Sequence, residues 1–125
     1  MKKLLLALLL GTMTLAAQTQ VYELRTYHTV DGRLPALLER FRSHTTALFE
    51  KHGMVNIGYW VPVDKPNTLI YIIAHPSVEA AKKNWDLFRD DPVWQKVKSE
   101  SEAAGPIVEK VESVFMTPTD FSKLK

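Results

Sequence analysis

Two apolar runs joined by four turn-forming residues constrain this chain more than any other feature. Residues 54–63 (MVNIGYWVPV) and 68–75 (TLIYIIAH) are rich in β-branched and aromatic side chains, and Asp64-Lys65-Pro66-Asn67 separates them. Such side chains suit a pleated, half-buried surface, whereas Pro and Asn suit a turn. A link this short makes the two strands antiparallel neighbours, because a parallel pair needs a crossover of about a dozen residues or more.

The flanking segments complete the pattern. Residues 21–29 (VYELRTYHT) alternate as a strand. Asp31-Gly32 opens a helix whose stripe is Leu34, Leu37, Leu38, Phe41, Thr45, Leu48 and Phe49. Pro35 falls in its first turn, where backbone N–H groups lack intrahelical partners anyway, and His52-Gly53 ends it. Ser77 caps a second helix with Val78, Ala81, Trp85 and Phe88 facing inward. Asp91-Pro92 breaks that helix and restarts a short one carrying Val93, Trp94 and Val97. Gly105-Pro106 stops it, and residues 107–116 (IVEKVESVFM) form the last strand. The order β-α-β-β-α-β is that of an α+β, ferredoxin-like fold: a four-stranded antiparallel sheet with helices on one face. Its other face calls for a ligand, a partner or a second subunit.

Residues 1–17 stand outside this scheme. Lys2 and Lys3 precede the apolar run from Leu4 to Leu10, and small residues follow at Ala16 and Ala17, the layout of a cleaved signal peptide. The apolar run meets Gly11 and Thr12 well short of the roughly 20 residues a membrane span needs, so no span is expected after cleavage. Export to the periplasm or the medium of a bacterium follows. Of 16 Lys+Arg against 14 Asp+Glu, Lys2 and Lys3 leave with the leader, and a balanced mature chain argues against nucleic-acid binding. The absence of Cys excludes a lipoprotein cleavage site, disulfides and thiolate chemistry. About 105 residues remain, enough for one domain with one core.

"VYELRTY", the long helix ending "FEKHG", "GYW", "LIYIIAHPSVEAAKKNWDLFRDDPVWQKV" and "MTPTDFS", in this order and spacing, resemble the NIPSNAP family over essentially the whole mature chain, residues 20–122. The resemblance implies a dimeric α+β barrel in which two ferredoxin-like sheets pack face to face, making a second copy of the chain the expected partner. The same superfamily includes small cofactor-independent monooxygenases and haem-degrading enzymes. NIPSNAP proteins have no agreed catalytic residues to carry over, and the best-known members are mitochondrial rather than exported.

Glu23, Arg25 and Tyr27 project from one face of the first strand. With Tyr22 and Leu24 assigned to the helices, this trio is expected on the open face, hence inside the barrel. An Arg flanked by Glu and Tyr suits a carboxylate or carbonyl ligand; an internal ion pair that fixes packing is the competing reading. Trp60, Tyr71 and His75 join them as candidate pocket walls, with Ile70, Ile72 and Ala74 assigned to the helix side. His28 and His75, at strand ends, are the positions for a proton shuttle or a haem ligand; His52 closes a helix and His44 packs beside a stripe. No His spacing gives a metal site, no G-x-S-x-G or glycine-rich phosphate loop occurs, and no cofactor is expected. Three functions remain in view: a homodimer binding a small molecule, a cofactor-independent monooxygenase or haem-degrading type of enzyme, and a protein-interaction module. Within "WDLFRDDPVWQKV", Trp85 is expected in the core and Trp94 at a rim or interface.

Overall fold

The computed structural model describes Gly11 and residues 20–125; apart from Gly11, the expected leader lies outside the described residues. The strands are β1 (Val21–Thr29), β2 (Val55–Trp60), β3 (Thr68–His75) and β4 (Val108–Met116). They form one antiparallel sheet in the order β2-β3-β1-β4. The helices α1 (Leu34–Arg40), α2 (Thr46–Lys51), α3 (Val78–Asp90) and α4 (Pro92–Ser101) lie on one side of it. The ferredoxin-like order anticipated from the sequence is the order found.

Local chemistry accounts for the element ends. Ser77 accepts a hydrogen bond from the Ala80 N–H at 3.0 Å, and Asp91 accepts one from the Val93 N–H at 2.8 Å, which ends α3 and starts α4. Gly53, at φ 77°, supplies the left-handed residue that closes α2. The first helix is not continuous, however: a π-helical turn at Phe41–Thr45 joins α1 to α2. Thr45 Oγ1 donates to the Arg40 carbonyl at 3.2 Å and Thr46 Oγ1 to that of Phe41 at 3.1 Å, so hydroxyls serve carbonyls of the widened turn. Both Phe41 and Thr45 stay buried.

The core lies between helices and sheet and is largely aromatic. Phe49 meets Trp85 and Phe88 edge-on at ring separations of 5.3 and 5.1 Å, and Tyr59 stacks on Tyr71 at 5.0 Å. Trp85 is buried, as expected. Trp94 is partly buried against the edge of the core, 4.6 Å from Phe88 and within 5.1 Å of the Arg40 guanidinium. His44, expected to pack, is exposed.

On β1 and β3 the two faces of the sheet are the reverse of the assignment made from the sequence, whereas Trp60 of β2 lies on the open side as assigned. Glu23, Arg25 and Tyr27 face the helices: Glu23 is hydrogen-bonded to Trp85 of α3, and Tyr27 packs on Phe41. Leu69, Tyr71, Ile73 and His75 share that side, so Ile70, Ile72 and Ala74 face away from it. On β2 an irregularity between Asn56 and Gly58 breaks the alternation. Asn56 therefore reaches α2, Tyr59 enters the core, and Gly58 and Trp60 face the open side. Leu24, Ile70 and Ile72 form the centre of that open face, with Val55, Trp60 and Val114 half-exposed around them. The chain after β4 folds over one end, where Tyr22, Ile72, Pro118 and Leu124 line a hollow of about 250 Å³.

Candidate functional site

A strand puts every second side chain on the same face, so Glu23, Arg25 and Tyr27 of β1 stand beside Ile73, Tyr71 and Leu69 of β3 and Phe115, Ser113 and Val111 of β4. Helix α3 crosses above and lowers Trp85 onto Glu23. The carboxylate, 1% exposed, has both oxygens fully engaged. Oε1 accepts from Trp85 Nε1 at 2.8 Å and lies 2.9 Å from His75 Nε2. Oε2 accepts from Arg25 Nη1 at 2.8 Å and from Ser113 Oγ at 2.6 Å.

Burial alone would raise the pKa of Glu23. Hydrogen bonds from His75, Ser113, Trp85 and Arg25 outweigh it and bring the value from 4.5 down to about 2. Because an ionised carboxylate can only accept, the His75 proton facing it sits on Nε2. His75 Nδ1 is buried and has no partner among the described residues. Burial likewise opposes the Arg25 cation, but the neighbouring Tyr27, Tyr71 and Glu23 more than compensate and hold it charged. Its guanidinium lies 4.1 Å from the Trp85 ring centre, a cation–π contact.

A phenol chain leads inward from Arg25. Arg25 Nη2 reaches Tyr27 Oη at 3.4 Å, and Tyr71 Oη donates to Tyr27 Oη at 2.9 Å. Burial raises the pKa of Tyr71 well above its ordinary value, and burial followed by Tyr27 and Glu50 raises that of Tyr59, so both remain neutral donors.

The helices do not cover most of β4, whose residues from Glu109 to Phe115 are exposed on both faces. The angle between β4 and α3 is consequently an open cleft of about 420 Å³, floored by Glu23 and Arg25 and walled by Trp85, Phe115, Lys82 and Arg89. Five of the six residues singled out from the sequence, Glu23, Arg25, Tyr27, Tyr71 and His75, meet in one network on its inner side. Trp60 does not: it lies on the opposite face, its ring across Gly58, where a Cβ would clash with the indole edge. A haem-ligand role for His75 conflicts with its side chain, which is 0% exposed and bonded to Glu23. His28, the other strand-end histidine, pairs instead with Glu112 at 3.2 Å. Among the described residues no three His, Asp or Glu side chains converge as a metal site.

Sequence reasoning missed Ser113, Lys82 and Arg89, and it read Trp85 as packing alone. A signal for three of these existed. Lys82, Trp85, Asp86 and Arg89 recur at three- and four-residue steps, so a charged edge runs beside the apolar stripe of one helix.

Comparison with known proteins agrees with this architecture. A NipSnap homolog of Dictyostelium discoideum is 29% identical over 107 residues, covering 84% of this chain; the chain spans 40% of that relative's length. A NIPSNAP family protein of Agrobacterium tumefaciens str. C58 superposes with a TM-score of 0.75 at 23% identity, over 88% of this chain and 97% of the other. A Chloroflexus aurantiacus J-10-fl protein assigned as an antibiotic biosynthesis monooxygenase shares the fold more distantly, with a TM-score of 0.56 at 11% identity over 86% of this chain and all (100%) of the other. The NIPSNAP family model itself matches residues 22–123, and the chain belongs to the NIPSNAP family.

Proposed function

We propose that this NIPSNAP domain is an exported homodimer that binds a small molecule in the cleft between α3 and β4. The observation that carries the binding reading is a buried ion network, centred on the fully bonded Glu23 carboxylate, flooring a cleft that stays open to solvent. Buried charge is costly unless paired, and here it is paired, rigid and placed where a ligand has room. Support for the dimer is the apolar centre of the open face, Leu24, Ile70 and Ile72 with Trp60 and Val114, which a second copy would cover. Support for export is the leader pattern of residues 1–17. The ligand site thus lies on the helix side of the sheet and not within the interface.

Native mass spectrometry of the protein recovered from the periplasm or medium of its host tests these parts together. The expected species is a dimer trimmed near Ala16 or Ala17. A strict monomer at micromolar concentration removes the dimer, and an intact leader removes export. A fragment screen in which no compound shifts the Trp85 indole resonance would sink the binding reading.

A further inference from the structure

We infer that the cleft selects a monoanion, a small carboxylate carrying a flat apolar body; this rests on the binding reading above. The inference begins with what the cleft's own charges leave over. Glu23 offers no repulsion of its own, because Arg25 neutralises it and both of its oxygens are occupied. At the rim, Asp86 pairs with Arg89 at 3.3 Å. Lys82, on the same edge of α3, is in no ion pair among the described residues. The balance of the cleft is therefore one surplus positive charge, supplied at its mouth.

The donors of Arg25 point the same way. A guanidinium carries five N–H groups in a planar fork. Only Nη1 is well bonded; Nη2 makes a long contact of 3.4 Å, while Nε is buried away from the cleft. A guanidinium donor with only a long contact, on the floor of the cleft, favours an acceptor that bears charge. Trp85 and Phe115 supply the apolar walls beside them. Phe115 keeps 37% of its surface exposed, so a ring or chain laid on it removes apolar area from water. A single surplus charge and two aromatic walls together fit an aryl or alkyl carboxylate better than a small dianion.

The test follows the indole N–H resonance of Trp85, which reports on Glu23 directly, with the indoles of Trp60 and Trp94 as controls. Three probes are titrated into the purified protein: phenylacetate, its neutral amide phenylacetamide, and inorganic phosphate. Phenylacetate is expected to shift Trp85 saturably and to bind about tenfold or more tighter than the amide. Lys82→Gln, a change at an exposed and unpaired side chain, is expected to erase most of that preference without altering the fold; Arg25→Gln would weaken binding further. Equal affinity for acid and amide overturns the anionic class while the cleft stands as a site. Tighter binding of phosphate than of phenylacetate overturns the apolar body. No Trp85 shift with any probe up to about 10 mM, a range that still registers very weak complexes, overturns the class and the binding site together.

Discussion

Glu23 concentrates the chemistry of this protein in one side chain. Its carboxylate is lowered to about 2 in the folded chain, against 4.5 in the absence of the fold. A lowered carboxylate binds fewer protons folded than unfolded, so its stabilisation is complete above pH 4.5, declines below it and is lost through about pH 2. The effect is on the order of 3 kcal/mol. Glu23→Gln removes the partner of a buried guanidinium and is expected to cost about 3–5 kcal/mol at pH 7. Urea unfolding of both proteins from pH 7 to pH 2 checks this, since the gap must narrow as the wild-type carboxylate protonates. A gap independent of pH would assign the loss to packing. That Glu23, Arg25 and Tyr27 form one group was legible from their alternation. That they turn towards the helices was not, because the neighbouring set Tyr22, Leu24 and Thr26 is equally able to be buried. The deciding partner, the Trp85 N–H, comes from a helix that period-2 reasoning on β1 never consults.

At the scale of elements, Asp91 ties three helices. Besides capping α4, it takes Lys51 Nζ and His52 Nε2, each at 2.7 Å, from the end of α2. Hydrogen bonds from Lys51, then His52, then the Val93 N–H hold its carboxyl far below the usual carboxylate range. Asp91→Ala is expected to lower the melting temperature clearly. Asp91→Asn, which keeps an acceptor for the cap but not the charge, should fall between the two in circular-dichroism melts. An Asn variant as unstable as the Ala variant would assign the stabilisation to charge alone. This restart was legible, because an Asp-Pro pair carries both a cap and a helix-start conformation in its covalent structure. The π turn was not. The apolar stripe steps from Phe41 to Thr45 as it would in an α-helix, and only the Thr45 and Thr46 hydroxyl contacts distinguish the two.

For the whole molecule, the order of elements followed from strand patterns, caps and one short hairpin, and the sheet order matches it. What covers the open face follows from the proposed dimer. Leu24→Asp places a charge at the centre of that face and is expected to turn a dimer into a monomer in sedimentation equilibrium. Because Leu24 points away from the cleft, the Trp85 indole resonance should stay in place. A Leu24→Asp chain that remains dimeric would locate the contact elsewhere.

The alternation of β1 has a consequence for which changes the gene can tolerate. Odd-numbered residues from Glu23 to Tyr27 serve the cleft, and even-numbered ones from Tyr22 to Thr26 the open face. A single-codon insertion or deletion within this stretch exchanges the two sets, turning Glu23 and Arg25 towards the apolar face and leucine towards the ion network. Both proposed surfaces would fail in one event. β1 can therefore diverge by substitution at individual positions, but its length is fixed by two roles that share one backbone.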